Sequence, residues 1–211
     1  MIPSEIRLAA FDLDGTLLEH DSSWAALHRH FGTTLYGEAS LKLYSEGKID
    51  YREFMRRDIG SWPKPITRSQ VNVILSRYRI RKDAQPTLDR LRDKGIDIAI
   101  VSSGIDILAQ MVARELGVRN WVANGLRFDR QGRVMPKGIG RVDPARKDRA
   151  YLHLLKRLGI PPGQTIAVGD TVYDLAFLKS AAMGFLLAHT TRVKDPSIIH
   201  VNSLSEILDH L

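Results

Sequence analysis

Apolar positions along the chain follow two rhythms. Short, mostly apolar runs occur at residues 6 to 12, from Ile96 to Val101 and from Thr165 to Val168, as expected of strands buried on both faces. Elsewhere apolar residues recur every three or four positions. This helical spacing marks Asp83 to Lys94, then Ile107, Leu108, Met111, Val112 and Leu116, and later Tyr151, Leu154, Leu155 and Leu158. Strands alternating with amphipathic helices predict an α/β fold, a doubly wound parallel sheet with ligands at the carboxyl ends of its strands. Leu126 to Asp129 and Arg133 to Met135, joined by Arg130-Gln131-Gly132, read as a hairpin. Ile198 to Val201 reads as a final strand, with Ser203 capping a terminal helix through Leu211.

The alternation is interrupted once. Some seventy residues separate the first strand from the helix at Asp83, and their spacing is helical: Trp24, Leu27 and Phe31; Leu41 and Tyr44; Tyr51, Phe54 and Met55; Val71, Ile74, Leu75 and Tyr78. Breaks fall at Gly32, Gly47 and Gly60, and at Trp62-Pro63-Lys64-Pro65, where prolines forbid a continuous helix. The expected organisation is a core of residues 1–18 and 83–211 with a helical insertion over 19–82.

Polar residues gather where the apolar runs stop. Asp12 and Asp14 end the first run, and Gly15 is expected to bend the chain and turn one relative to the other. Two ionised carboxylates so close require a cation or strong donors, and a hard divalent metal such as Mg²⁺ prefers oxygen ligands; two solvated aspartates in a turn are the plain alternative. Ser102-Ser103-Gly104 ends the second run, either as a phosphate seat at a helix N-terminus or as an ordinary helix cap. Gly169-Asp170-Thr171-Val172-Tyr173-Asp174 ends the third, where Asp174 could simply favour a helix start. Lys147, flanked by Arg146 and Arg149, opens a helix and on spacing alone is a solvated surface residue.

Taken in order, Asp12-x-Asp14-x-Thr16, Ser102, Lys147 and Gly169-Asp170-x-x-x-Asp174 resemble the four motifs of the haloacid dehalogenase superfamily, and more closely its phosphoserine-phosphatase-like branch. The resemblance spans nearly the whole chain. It implies a Rossmann-like core, a small helical cap over residues 19–82, and Mg²⁺-dependent hydrolysis of a small anionic phosphorylated metabolite. On this resemblance Asp12 is the nucleophile and Asp14 the acid and base. The metal sits on the Asp12 carboxylate, the Asp14 backbone carbonyl and Asp170, while Thr16, Ser102, Ser103 and Lys147 bind the phosphoryl group and Asp174 supports Lys147 or a metal-bound water. Asp21 and the arginines Arg56 and Arg57 are the candidates for holding the rest of the substrate. Two positions depart from the branch: the register puts Asp58 where a cap arginine would hold a substrate carboxylate, and Tyr173 where an asparagine is usual.

Composition narrows the alternatives. The absence of Cys excludes disulfides and thiolate metal sites, and the seven histidines have no metal-ligand spacing. No apolar run reaches spanning length and no leader-like segment opens the chain, so the expectation is a cytoplasmic protein without a membrane partner, monomeric or homodimeric. Residues 19–82 carry twelve Lys or Arg against seven Asp or Glu, most of the chain's formal +7. Such a lid would attract an anion. The same charge fits nucleic acid, but no nucleic-acid motif or aromatic platform accompanies it, so nucleic acid is not the expected partner. Two other functions remain open: a phosphotransferase that passes the phosphoryl group to another alcohol, and a catalytically silent protein that binds an anion or nucleic acid.

Overall fold

A computed structural model describes residues 5–19, 22–187 and 193–211. Seven strands form one sheet in the order β4-β3-β2-β1-β5-β6-β7, parallel throughout except that β4 runs antiparallel to β3. The strands are β1 (Leu8–Phe11), β2 (Asp97–Ile105), β3 (Asn120–Phe128), β4 (Val134–Ile139), β5 (Thr165–Gly169), β6 (Met183–Leu187) and β7 (Ile198–Val201). The chain builds β2 and β3 on one side of β1 and then crosses to β5 on the other. The carboxyl ends of β1, β2 and β5 therefore meet where the winding reverses, the place where ligands bind in such sheets.

Alternation along β1 divides the core. Ala9 and Phe11 face a cluster containing Leu88 and Leu91 of α5 (Ala84–Asp93) and Leu108 and Val112 of α6 (Asp106–Glu115). Leu8 and Ala10 face the other side, against Tyr151 and Leu154 of α7 (Lys147–Leu158) and Phe177 of α8 (Leu175–Leu178). Both faces of β1 are covered, which is why its sequence is continuously apolar.

The insertion forms α1 (Ser23–Phe31), α2 (Thr34–Ser45), α3 (Tyr51–Ser61) and α4 (Arg68–Leu75). It leaves and returns side by side: Arg81 donates its N–H to the Leu17 carbonyl and Glu19 donates to that of Arg79, around an antiparallel bridge between Leu18 and Ile80. A second attachment joins it to the β3–β4 hairpin, where Thr67 bridges Arg133, Arg68 N–H donates to Gly132 O and Val134 N–H donates to Ile66 O. Met55 and Ile59 of α3 pack against Gly138 of β4.

Several local expectations change. Strand β2 runs on through Ser102, Ser103 and Gly104, so these residues do not cap α6, whose first turn has no side-chain cap. Gly60 lies inside α3, which ends at Ser61. The terminal helix is a 3₁₀ segment from Ser205 to His210 that Ser203 does not cap. The apolar pattern leaves β6 and the first half of β3 unmarked, because Gly184 interrupts one run and Asn120, Asn124 and Gly125 break up the other. Among the described residues no helix is long and apolar enough to cross a membrane.

Candidate active site

Two strand ends and one helix start build a single buried charge network. Lys147, the first residue of α7, is only 2% exposed, far from the solvated residue its spacing alone suggested. Its Nζ lies 2.8 Å from Asp12 Oδ1 and 2.5 Å from Asp174 Oδ1. Asp174 Oδ2 accepts the N–H groups of Asp170 and Thr171 at 3.2 and 3.0 Å, which folds the turn after β5 around it. Carboxylate oxygens of Asp12, Asp170 and Asp174 can all lie within 4.8 Å of one another.

This crowding sets the protonation of the site. Burial pushes Asp12 up to about 7, aided by the charges of Asp174 and Asp170 and opposed by Lys147. Burial, together with the charge of Asp12, raises Asp14 to about 7, while Asp170 is pushed up to about 6, again mainly by burial. Flanking carboxylates, by contrast, hold the Lys147 ammonium well above its usual value against the cost of its burial. One lysine leaves the carboxylates under-compensated. Oxygen donors with surplus negative charge fit a divalent cation: Asp12 and Asp170 each have one oxygen held, by Lys147 and by Thr16, and a second to offer, whereas both oxygens of Asp174 are taken by Lys147 and backbone amides.

Glycine permits the close approach. Gly15 has φ +83°, and a Cβ there would come within 2.3 Å of Asp170 Oδ2. A side chain at Gly104 would likewise meet Asp14 Oδ2 at 2.5 Å. Thr16 is fully buried and its hydroxyl donates to Asp170 Oδ1 at 2.9 Å. The Thr16 hydroxyl, expected to bind phosphate, is here turned to a candidate metal ligand. Ser102 Oγ accepts the Gly104 N–H at 2.9 Å, which leaves its own proton to donate.

A cavity of about 890 Å³ joins Asp12, Asp14, Lys147 and Asp170 to the insertion, with Trp24, Tyr44, Tyr51 and Phe54 among its lining. Ser103, Thr171 and Tyr173 also line it. Arg56 and Arg57 do not. Both are exposed on α3 and paired with Glu53, so in this arrangement neither of the arginines expected to hold substrate faces the cavity. Asp58, one residue on, is buried and faces the cavity, with its Oδ2 3.1 Å from His28 Nε2. Burial raises the Asp58 carboxyl, while contacts from His28 and Ser40 oppose the rise. His28 is fixed in turn by Thr33 Oγ1 at 2.8 Å from its Nδ1 and by Gly37, which leaves no space for a side chain beside the ring. Asp21 lies outside the described residues.

The sequence reading missed four residues that tie the insertion to the sheet. The Ser103 carbonyl accepts from Trp24 Nε1, Tyr51 Oη and Asn124 Nδ2 at 3.2, 2.9 and 2.8 Å. Asn124 Oδ1 accepts from the Arg141 and Val142 amides, so a fully buried amide organises the loop after β4 as well. Its polarity inside an apolar strand was the available signal; for Trp24 and Tyr51 apolar spacing hid the polar tips. Ser23 is the fourth, and contacts Asp14.

Comparison with known proteins agrees with this geometry. The pattern of the haloacid dehalogenase-like hydrolases matches residues 6–182. A phosphoserine phosphatase of Polaromonas sp. is 27% identical over 207 residues, covering 94% of this chain and 86% of that protein. One from Methanocaldococcus jannaschii is 26% identical over 211 residues, covering 97% of each. Among solved structures, a phospho-aspartyl intermediate analogue of phosphoserine phosphatase superposes with a TM-score of 0.82 at 25% identity, over 99% of this chain and all of that one. A haloacid dehalogenase family hydrolase of Salmonella enterica superposes with a TM-score of 0.84 at 23% identity, over 98% and 72% of the two chains. With the family pattern matched over most of its length, the chain belongs to the haloacid dehalogenase-like hydrolases, in their phosphoserine-phosphatase-like branch, and is a phosphatase.

Proposed function

We propose that the protein hydrolyses small phosphate monoesters through a covalent phosphate on Asp12, with the insertion over 19–82 as a cap. The observation that carries this reading is the pairing of Lys147 with both Asp12 and Asp174 beneath a cavity that Asp14 also lines. Lys147 holds one oxygen of Asp12 and leaves the other to attack phosphorus. As the Asp12–phosphorus bond forms and the phosphorus–alcohol bond breaks, Asp14 gives its proton to the departing oxygen. Asp14 then takes a proton from water, whose oxygen attacks phosphorus and frees Asp12. Ser102, the Ser103 amide and Lys147 bind the phosphoryl oxygens. Asp12, Asp170 and the Asp14 backbone carbonyl would hold Mg²⁺, which when bound neutralises charge on the phosphoryl group.

Phosphoserine is the substrate named for the relatives, and the first compound to test. Buried Asp58, where the register expects a carboxylate-binding arginine, argues for a different leaving alcohol. Turnover of a panel of phosphomonoesters with Mg²⁺ tests both readings. No hydrolysis of any, p-nitrophenyl phosphate included, overturns the activity; phosphate transferred to an added alcohol in place of water would make it a phosphotransferase.

A further inference from the structure

Asp14 is held from the insertion, not from the sheet that carries it. Its Oδ2 accepts the backbone N–H of Ser23 at 3.2 Å and the Ser23 hydroxyl at 3.4 Å. That hydroxyl also accepts the Ile105 N–H at 2.8 Å, so its single proton is free to point toward Asp14. Ser23 is 1% exposed, and Gly104 gives it room, since a Cβ at Gly104 would lie 2.6 Å from Ser23 Oγ. Asp14 Oδ1, by contrast, is buried and has no hydrogen-bond partner among the described residues.

These contacts make the two oxygens of one carboxyl group unequal. An oxygen accepting two hydrogen bonds is the poor place for the acid's own proton; the unpartnered oxygen is the good one. We propose that Ser23 is a positioning residue that keeps Asp14 Oδ2 as acceptor, so that Oδ1 carries the proton to the leaving alcohol. Ser23 opens α1, so the acid is set only while the insertion is seated on the sheet: Ile105 and Asp14, which Ser23 joins, belong to the core. The inference rests on the phosphatase reading above and adds to it a link between cap position and proton delivery.

The test varies how much the leaving group needs a proton. In the full-length protein with Mg²⁺, kcat/KM is measured for 2,4-dinitrophenyl phosphate, whose phenolate leaves unaided, and for an alkyl phosphate, whose alkoxide does not. This ratio reports the step in which Asp12 is phosphorylated, whatever limits later turnover. Ser23→Ala is expected to lower kcat/KM for the alkyl ester roughly tenfold more than for the dinitrophenyl ester. Ser23→Thr, which keeps the hydroxyl, should recover part of that difference. An equal loss on both esters, or none on either, overturns the proposal while leaving phosphatase activity intact. Failure of the unaltered protein on both esters overturns the underlying reading instead.

Discussion

Two stretches of this chain are dense in charge, and they behave oppositely. At the ends of β1 and β5 and the start of α7, Asp12, Asp170, Asp174 and Lys147 are largely buried and interlocked. On α3, Arg56 and Arg57 lie in solvent against Glu53 while Asp58 turns inward to His28. Strand ends fix side chains by their position in the sheet, so a motif there has one destination. A helix turns about 100° per residue, so one position separates an inner face from an outer one. Charge at a strand end therefore predicts chemistry; charge on a helix predicts little until its rotation is known.

The sharpest way to break this contrast is to remove the nucleophile. Asp12→Asn is expected to cost at least about a thousandfold in kcat with p-nitrophenyl phosphate; retained turnover would relocate the chemistry. Asp14→Asn should lower kcat/KM for alkyl phosphates by about a hundredfold or more, the range of a lost general acid, with a smaller loss on esters of acidic phenols. Lys147→Met leaves Asp12 and Asp174 facing each other without their cation. It should destabilise the metal-free protein by about 3–5 kcal/mol in denaturant unfolding, and an unchanged midpoint would mean the network is not what it looks like in the structure.

Acidity gives a gentler test. Asp12 and Asp14 sit near 7 and Asp170 near 6 in the folded protein, all above the ordinary 3.8. The native state thus binds more protons than the unfolded chain between about pH 4 and 7, and these groups withdraw stability as pH rises through that window. A cation bound to the deprotonated carboxylates opposes this. Mg²⁺ should therefore raise Tm more at about pH 8 than at about pH 5; an equal increment at both would remove the carboxylates from the ligand set. Smallest of all, Arg56→Ala and Arg57→Ala should each change kcat/KM by less than about twofold, as expected of exposed ion pairs. A large rise in KM would bring that face of α3 back to the substrate.

What was legible in the sequence follows the same division. The parallel core, the hairpin and the acidic strand ends could be read because each rests on a period of two or on an abrupt apolar-to-polar boundary. Lys147 could be placed only with its motif neighbours, since its burial depends on Asp12 and Asp174, distant in sequence. The contact of Thr16 with Asp170 was not legible, because a hydroxyl beside two aspartates says nothing of a residue that arrives from β5. Asn124 showed only as a polar residue within an apolar strand, while Ser23 and the inward turn of Asp58 were not legible, for each depends on how the insertion settles against the sheet.

The insertion is joined to the core at two separated places, at Leu18 with Ile80 and at Thr67 with Arg133. Tyr44, donating to Asp143 while accepting from the Ala145 amide, and Trp24 and Tyr51 on the Ser103 carbonyl fasten it again at the rim of the cavity. Ser23, which accepts from Ile105 and donates to Asp14, belongs to the same set, so the contacts that close the insertion over the cavity are also the ones that set its acid.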